Sequence, residues 1–281
     1  MTKPLIGISC DFETYLLPEG TPEPRDRNYS KLCHYYYHAL MNAGADCVLV
    51  PITREPQHAI DILPRLDGIL LSGGDDYPPD SYHETPHPTV ECVQPWRAGH
   101  DLTLARHLLE RSDMPVFAIC GGLQALVIAD GGALIQDIPD QVKGSIAHRR
   151  VYHDVRIEPG SHLHELLGER TPVYSSHHQA LKRAGSRLKP VAWAEDGVVE
   201  AVELREAERY LIAVQWHPEV MVKSEPMERV FRDFVQACEN YSLRASCALP
   251  KTLLRDVVPA KAGIQSQPKV IAGTGFPPSR E

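Results

Sequence analysis

A chain of 281 residues with 43% hydrophobic content is long enough to bury one large α/β core or two small ones. Its formal net charge of -8 gives no sign of a nucleic-acid partner, and no run approaches the ~20 apolar residues that a membrane helix needs. The opening MTKPLIGISC lacks a signal-peptide pattern, and seven cysteines without a C-x-x-C spacing argue against a disulfide framework or a four-thiolate zinc site, so a cytoplasmic protein with no membrane partner is expected.

LIGIS at 5–9 reads as a short apolar strand, followed by a Pro- and Glu-rich loop over 12–27. Residues 28–43 place Leu32, Tyr35, Tyr36, Ala39 and Leu40 on one helical face, with Gly44 as the stop. DCVLVP is the second strand, and a short helix at 59–63 leads into the third, LDGILLSGG, which ends in a glycine turn. A helix over 97–110 precedes a fourth strand, VFAI at 116–119, and a helix-compatible run starts at Leu123. Such alternation, with short continuous apolar strands, predicts a parallel sheet with helices on both faces. In open sheets of this kind ligands bind at the carboxyl ends of the strands, where Gly73, Gly74, Cys120, Gly121 and Gly122 fall.

The second half is richer in extended segments. VYHDVRI alternates as a half-buried strand, PVYSSHHQAL runs from a strand into a polar turn, and VVEAVEL pairs with YLIAVQWHPE as a hairpin. Residues 225–239 close the body as an amphipathic helix with Met227, Val230, Phe231, Phe234 and Val235 inward. From 241 the chain turns mildly basic, with six Lys/Arg against two acids, and is rich in Pro and Gly. One domain over 1–240 and a weakly ordered extension over 241–281 are therefore expected.

The chemistry centres on AICGGLQAL. A cysteine between a buried strand and a helix sits where backbone amides and the positive helix end favour a thiolate. A thiol nucleophile needs a base, and the base needs an orienter. His217 leaves an apolar strand in AVQWHPEV, with Glu219 two residues on across Pro218, a spacing that in extended geometry points both side chains to one side. Any one histidine or cysteine is more often structural than catalytic; the combination shifts the balance.

AICGGLQAL, VQWHPE and LLSGGDD, in that relation, resemble the class I glutamine amidotransferase superfamily. LLSGGDDYPPDSYHE, GGALIQDI, SSHHQALK and DGVVEAVE are similar to its γ-glutamyl-γ-aminobutyrate hydrolase branch, over about residues 4–238. The resemblance implies a flavodoxin-like three-layer α/β fold, with a central mostly parallel sheet and an additional antiparallel strand region. It implies Cys120 as nucleophile, His217 as base and then acid, Glu219 as orienter, and the amides of Gly74 and Gly121 as oxyanion hole. Gly73, Gln124, Ser176 and His177 would contact the γ-glutamyl group. The implied activity is cofactor-free hydrolysis of the γ-glutamyl amide of a small amine or amino acid, with a homodimer allowed for. A glutaminase subunit feeding ammonia to a separate synthase and a non-catalytic binding protein are the alternatives.

Three positions depart from the branch pattern. Gly121 stands where Arg is usual, His100-Asp101 where an Arg-Asp pair is usual, and Tyr174 where Asn is usual, so the amine side of the pocket is expected to differ. His83, His87 and His100, near Glu84, Glu91 and Cys92, follow no metal-ligand spacing, and His177-His178 reads as a substrate turn, so no metal site is expected.

Overall fold

The computed structural model describes residues 3–17, 19, 26–206 and 209–248. In chain order its first half comprises β1 (Leu5–Ser9), β2 (Asp11–Leu16), β3 (Asp26–Lys31), α1 (His34–Asn42), β4 (Asp46–Val50), α2 (Gln57–Ile62), β5 (Gly68–Leu71), α3 (Pro95–Glu110), β6 (Val116–Ile119) and α4 (Gly121–Ala129). The second comprises β7 (Ala133–Ile135), α5 (Ile138–Gln141), β8 (Arg149–Ile157), α6 (His162–Leu167), β9 (Arg170–Ser176), β10 (Ala180–Arg183), β11 (Leu188–Ala194), β12 (Val199–Leu204), β13 (Leu211–Val214) and α7 (Glu225–Ala248).

The large sheet runs β4-β1-β5-β6-β13-β12-β11-β8-β9, with β10 and β7 joined off β12. Its first five strands are parallel and the rest antiparallel, so the α/β architecture with an antiparallel extension is as expected. The continuous apolar strands are explained by burial on both faces. In β6, Val116 and Ala118 join the cluster formed with Leu104 and Leu108 of α3 and Leu126 of α4. Phe117 and Ile119 join the opposite cluster with Leu40 of α1 and Phe231 and Phe234 of α7. The Phe117 ring centroid lies 5.4 Å from that of Phe231 and 5.6 Å from that of Phe234.

The chain between β1 and β4 differs from expectation. In place of a loop over 12–27 and a helix from 28, β2 and β3 pair as an antiparallel hairpin from Asp11↔Lys31 to Leu16↔Asp26, and α1 starts only at His34. Cross-strand polar pairs hold it: Thr14 Oγ1 donates to Asn28 at 2.8 Å, and Lys31 Nζ to Glu13 at 2.8 Å. No residue of β3 is buried, so no core-facing alternation marks the strand in the sequence. Tyr35, assigned to the inner helical face, is exposed, while Tyr36, Ala39 and Leu40 are buried as expected. The closing helix begins at Glu225 as expected and runs on to Ala248, past residue 239. Most of the expected extension lies outside the described residues.

Candidate active site

The parallel strands deliver the site from their carboxyl ends. β6 and β13 pair in register up to Ile119↔Val214, and the Cys120 N–H donates to the Val214 carbonyl at 2.8 Å. Cys120 therefore sits one step beyond the ladder, with α4 starting at Gly121. Its backbone is left-handed, at φ 52° and ψ -108°, a conformation costing a non-glycine residue roughly 1–3 kcal/mol. Packing enforces it: a Cβ on Gly122 would lie 2.4 Å from the Leu71 carbonyl oxygen, so the chain turns hard against β5. The turn sets Cys120 directly before the first residues of α4, at the positive end of that helix.

His217 follows β13 and opens a short turn over Pro218–Val220. Its Nδ1 lies 2.7 Å from Glu219 Oε1, and its N–H donates to the Tyr174 carbonyl at 2.9 Å. With Nδ1 engaged by the carboxylate, Nε2 is left for the thiol, the tautomer a base requires. Burial would push the imidazole down, but its interactions with Cys120 and then with Glu219 outweigh it and hold His217 well above the ordinary histidine range. A Cβ built on Gly73 would touch both Cys120 Cβ and His217 Cε1 at 3.4 Å, which fixes how closely nucleophile, base and glycine turn converge. Gln215 Nε2 lies 3.5 Å from Cys120 Sγ.

The glycine turn is held by a buried cation. Arg97, on the first turns of α3, binds the Gly73 carbonyl at 2.7 Å, Asp101 at 3.1 Å and the Asp11 carboxylate. Asp101 also meets Tyr77 at 2.8 Å and His100 at 3.0 Å. A Cβ on Gly74 would collide with the Arg97 guanidinium, so only glycine lets that cation pack against the turn. The Gly73 N–H meets the Tyr36 hydroxyl at 3.0 Å. A Cβ on Gly121 would stand 3.0 Å from Gly74 N, so the two peptide turns approach closely beside the thiol. The His100-Asp101 departure thus leaves an Arg-Asp pair intact, supplied by Arg97 one helical turn earlier.

Two openings meet at Cys120. One, of about 220 Å³, is lined by Gly74, Gln124, Ser176 and His177 together with Asp75, Asp76, Glu91, Arg149 and Arg150. The other, of about 350 Å³, is lined by Tyr36, Gly73, Tyr174, Ser176, His217 and the Asp11 and Leu32–Cys33 region. The structure thus brings Gly73, Gly74, Gln124, Ser176 and His177 around the thiol. Gln124 is buried, with its Nε2 3.5 Å from Gln215 Oε1. His177 turns both ring nitrogens to protein groups, Nδ1 to the Gln179 carbonyl at 2.9 Å and Nε2 toward Glu200 at 3.3 Å. His178 bridges Asp76 at 3.1 Å and Asp137 at 3.3 Å, and Asp76 before Asp137 raises its pKa.

Sequence reasoning missed Arg97, Tyr36, Arg149 and Arg150, which no local motif marks, and Asp75, which lay inside LLSGGDD. Gln215 lay inside the AVQWHPEV motif and could have been read from its step before His217. The histidines and acids weighed as ligands over 83–100 do not converge: His87 meets Asp140 at 3.1 Å, Glu84 meets Lys182 at 2.7 Å, and His100 meets Asp101. The histidine-carboxylate cluster instead consists of His148, His153, His177 and Glu200, from separate stretches of the antiparallel region. Burial would push Glu200 up, but the charge of His177 and then His148 bring it down to about 2. Among the described residues no helix is long and apolar enough to cross a membrane.

A family model described as Peptidase C26 matches residues 4–219. A protein of Mycobacterium tuberculosis named "Putative glutamine amidotransferase Rv2859c" is 36% identical over 222 residues, 77% of this chain and 70% of that protein. A gamma-glutamyl-gamma-aminobutyrate hydrolase of Escherichia coli O157:H7 is 34% identical over 222 residues, 73% of this chain and 85% of that protein. A crystal structure from Thermoplasma acidophilum, described as a "putative gmp synthase subunit a protein", superposes with a TM-score of 0.60 at 17% identity. It covers 88% of this chain and 99% of that one, a likeness of fold. The chain belongs to the peptidase C26 family.

Proposed function

We propose that this member of the peptidase C26 family hydrolyses the γ-glutamyl amide bond of a small γ-glutamylated amine or amino acid, through a thioester on Cys120. One observation carries the reading: Cys120 lies at the junction of two openings, and His217, held by Glu219, lines only one of them. The acid that protonates a leaving amine must stand on the amine side. The opening with His217 and Tyr174 therefore takes the amine, and the opening with Gln124 takes the glutamyl group. A glutamyl α-carbon carries a carboxylate and an ammonium; Arg149 and Arg150 supply one sign of complement there, and Asp75, Asp76 and Glu91 the other.

The Cys120 thiolate attacks the amide carbon, and the negative charge that develops on oxygen faces the amides of Gly74 and Gly121. His217 gives its proton to the departing nitrogen as the carbon–nitrogen bond breaks, leaving a γ-glutamyl thioester and a free amine. A water then loses its proton to His217 and attacks the thioester. Collapse expels the thiolate and releases glutamate, and the imidazolium is restored.

The test is glutamate release from a panel of γ-glutamyl amines and from free glutamine, for the parent and Cys120→Ala. Release from γ-glutamyl amines by the parent alone, abolished in the variant, is expected. Release from glutamine only, and only with a partner synthase present, would overturn the reading.

A further inference from the structure

His148, His153, His177 and Glu200 are separated by 5, 24 and 23 residues in sequence, yet their ligand atoms lie within 4.8 Å of one another. His148 precedes β8, His153 lies on it, His177 follows β9 and Glu200 lies on β12. His148 Nδ1, His177 Nε2 and His153 Nε2 stand 3.0, 3.3 and 3.6 Å from Glu200 Oε1. Zinc–nitrogen and zinc–carboxylate bonds of about 2.0–2.1 Å in a tetrahedron separate neighbouring ligand atoms by roughly 3.3 Å, so the three spacings from Glu200 Oε1 match tetrahedron edges, and the nitrogens, all within 4.8 Å of one another, need only close in on an ion.

Two further observations point to a cation. Glu200 is fully buried and neither of its carboxylate oxygens accepts a hydrogen bond; His148 Nδ1 and His177 Nε2 are likewise buried without a hydrogen-bond partner. The other nitrogen of each ring, meanwhile, faces an acceptor. His148 Nε2 meets Asp196 Oδ2 at 3.0 Å, His177 Nδ1 the Gln179 carbonyl at 2.9 Å, and His153 Nδ1 the Asp154 carbonyl at 3.2 Å. A bound cation would leave each ring's one proton on that outer nitrogen and turn the inner lone pair toward the ion, in place of the charge of His177 and His148 that otherwise faces Glu200. Outer N–H groups held by carboxylate or carbonyl are how proteins orient metal-binding histidines. Ser175 Oγ, 2.8 Å from His153 Nε2, is the neutral group that competes for one of these positions.

We propose that His148, His153, His177 and Glu200 form a closed, four-coordinate zinc site that ties β8, β9 and β12 together behind the pocket wall. Three imidazoles and one carboxylate suit zinc, and four protein ligands with no open position suit a structural ion. One dication with Glu200 and Asp196 gives an electrically neutral group. The ion would anchor the chain on both sides of Arg149 and Arg150, where β8 bulges and Arg150 is left-handed at φ 56°. It would also fix Ser176, next to His177. The inference rests on these four side chains and not on the proposed reaction.

The test uses the full chain without a tag. Elemental analysis after expression in zinc-supplemented medium is expected to find about one zinc per chain in the parent and in Cys120→Ala, and less than about a tenth of that in His148→Ala and Glu200→Gln. Asp196→Asn should weaken zinc binding about 10–100-fold. Should those variants fail to fold, the chelator-stripped parent decides. It should take up one cobalt with visible bands of a tetrahedral site and no thiolate charge-transfer band, and zinc but not magnesium should displace the cobalt. Failure of the stripped parent to take up zinc or cobalt, loss of metal in Cys120→Ala, a thiolate band, or another stoichiometric metal in place of zinc would overturn the proposal.

Discussion

The two halves of the sheet are built differently. β1, β5, β6 and β13 bury almost nothing but apolar side chains and hand the reacting groups over through backbone geometry, just beyond the last paired residues of β6 and β13. The antiparallel half buries Glu200, Glu203, Thr171, Ser175, His177 and Gln179, and so is held by polar contacts with definite directions. An apolar two-sided strand tolerates no slip, which suits a nucleophile at a fixed corner. A polar interior is adjustable by single substitutions, which suits a wall that selects a substrate. The comparison predicts that changes in the first half act on rate or on folding, and changes in the second on substrate binding.

Cys120→Ala should separate chemistry from fold most sharply. Removing a nucleophile costs covalent catalysis at least about 10³-fold, so glutamate release should fall below detection in the panel assay. The side chain takes no part in the sheet ladder, so the melting temperature should stay within about 2 °C by calorimetry. A large loss of stability would mean that the thiol, and not the strand, holds the corner.

Arg97→Met attacks the exception on the parallel side. It strands Asp101, and in part Asp11, without their cation in a buried setting, where breaking such a pair costs about 3–5 kcal/mol. A drop in melting temperature of roughly 10 °C is expected, with loss of activity as the Gly73 turn is released. An unchanged melting temperature would show that the turn is held by the strands alone.

The parallel half was legible in the sequence because its physics is local. VFAI and GILL are short apolar runs punctuated by glycine, and one pattern gave strand, turn and nucleophile together. His217 and Glu219 were legible because they sit two residues apart. The hairpin β2–β3 was not, since both its faces meet solvent and nothing forces an alternation. Arg97 was hidden because a buried arginine on a helix looks like a surface one until its partners, 86 and 24 residues away, are placed. The His148–Glu200 cluster was hidden for the same reason, as its members meet only when β8, β9 and β12 are assembled.

Glu219→Gln probes the pair that bridges the two halves, since His217 hangs from the Tyr174 carbonyl of β9. His217 is raised above its ordinary value, so the imidazolium persists through neutral pH and is lost only as pH rises through the elevated folded value. Removing the Glu219 charge lowers that value, so the alkaline limb of the kcat/KM profile should move toward lower pH. The rate at the optimum should fall about 100-fold, as the ring loses its orienter. A limb that stays in place would assign the elevation to Cys120 alone.

Tyr174→Asn gives the smallest effect and the finest cut, because one residue serves both functions through different atoms. Its carbonyl accepts from the His217 N–H at 2.9 Å and its N–H meets Met221 Sδ at 3.1 Å, contacts any residue but proline can make. Its ring lies 5.2 Å from that of Tyr152 and lines the opening assigned to the amine. Replacing the ring should therefore leave kcat within about threefold while KM shifts severalfold, unequally across the amine panel and least for free glutamine, whose leaving group is ammonia. A uniform fall in kcat would instead show that the ring positions His217. The antiparallel half would then be part of the catalytic frame as well as the selecting wall.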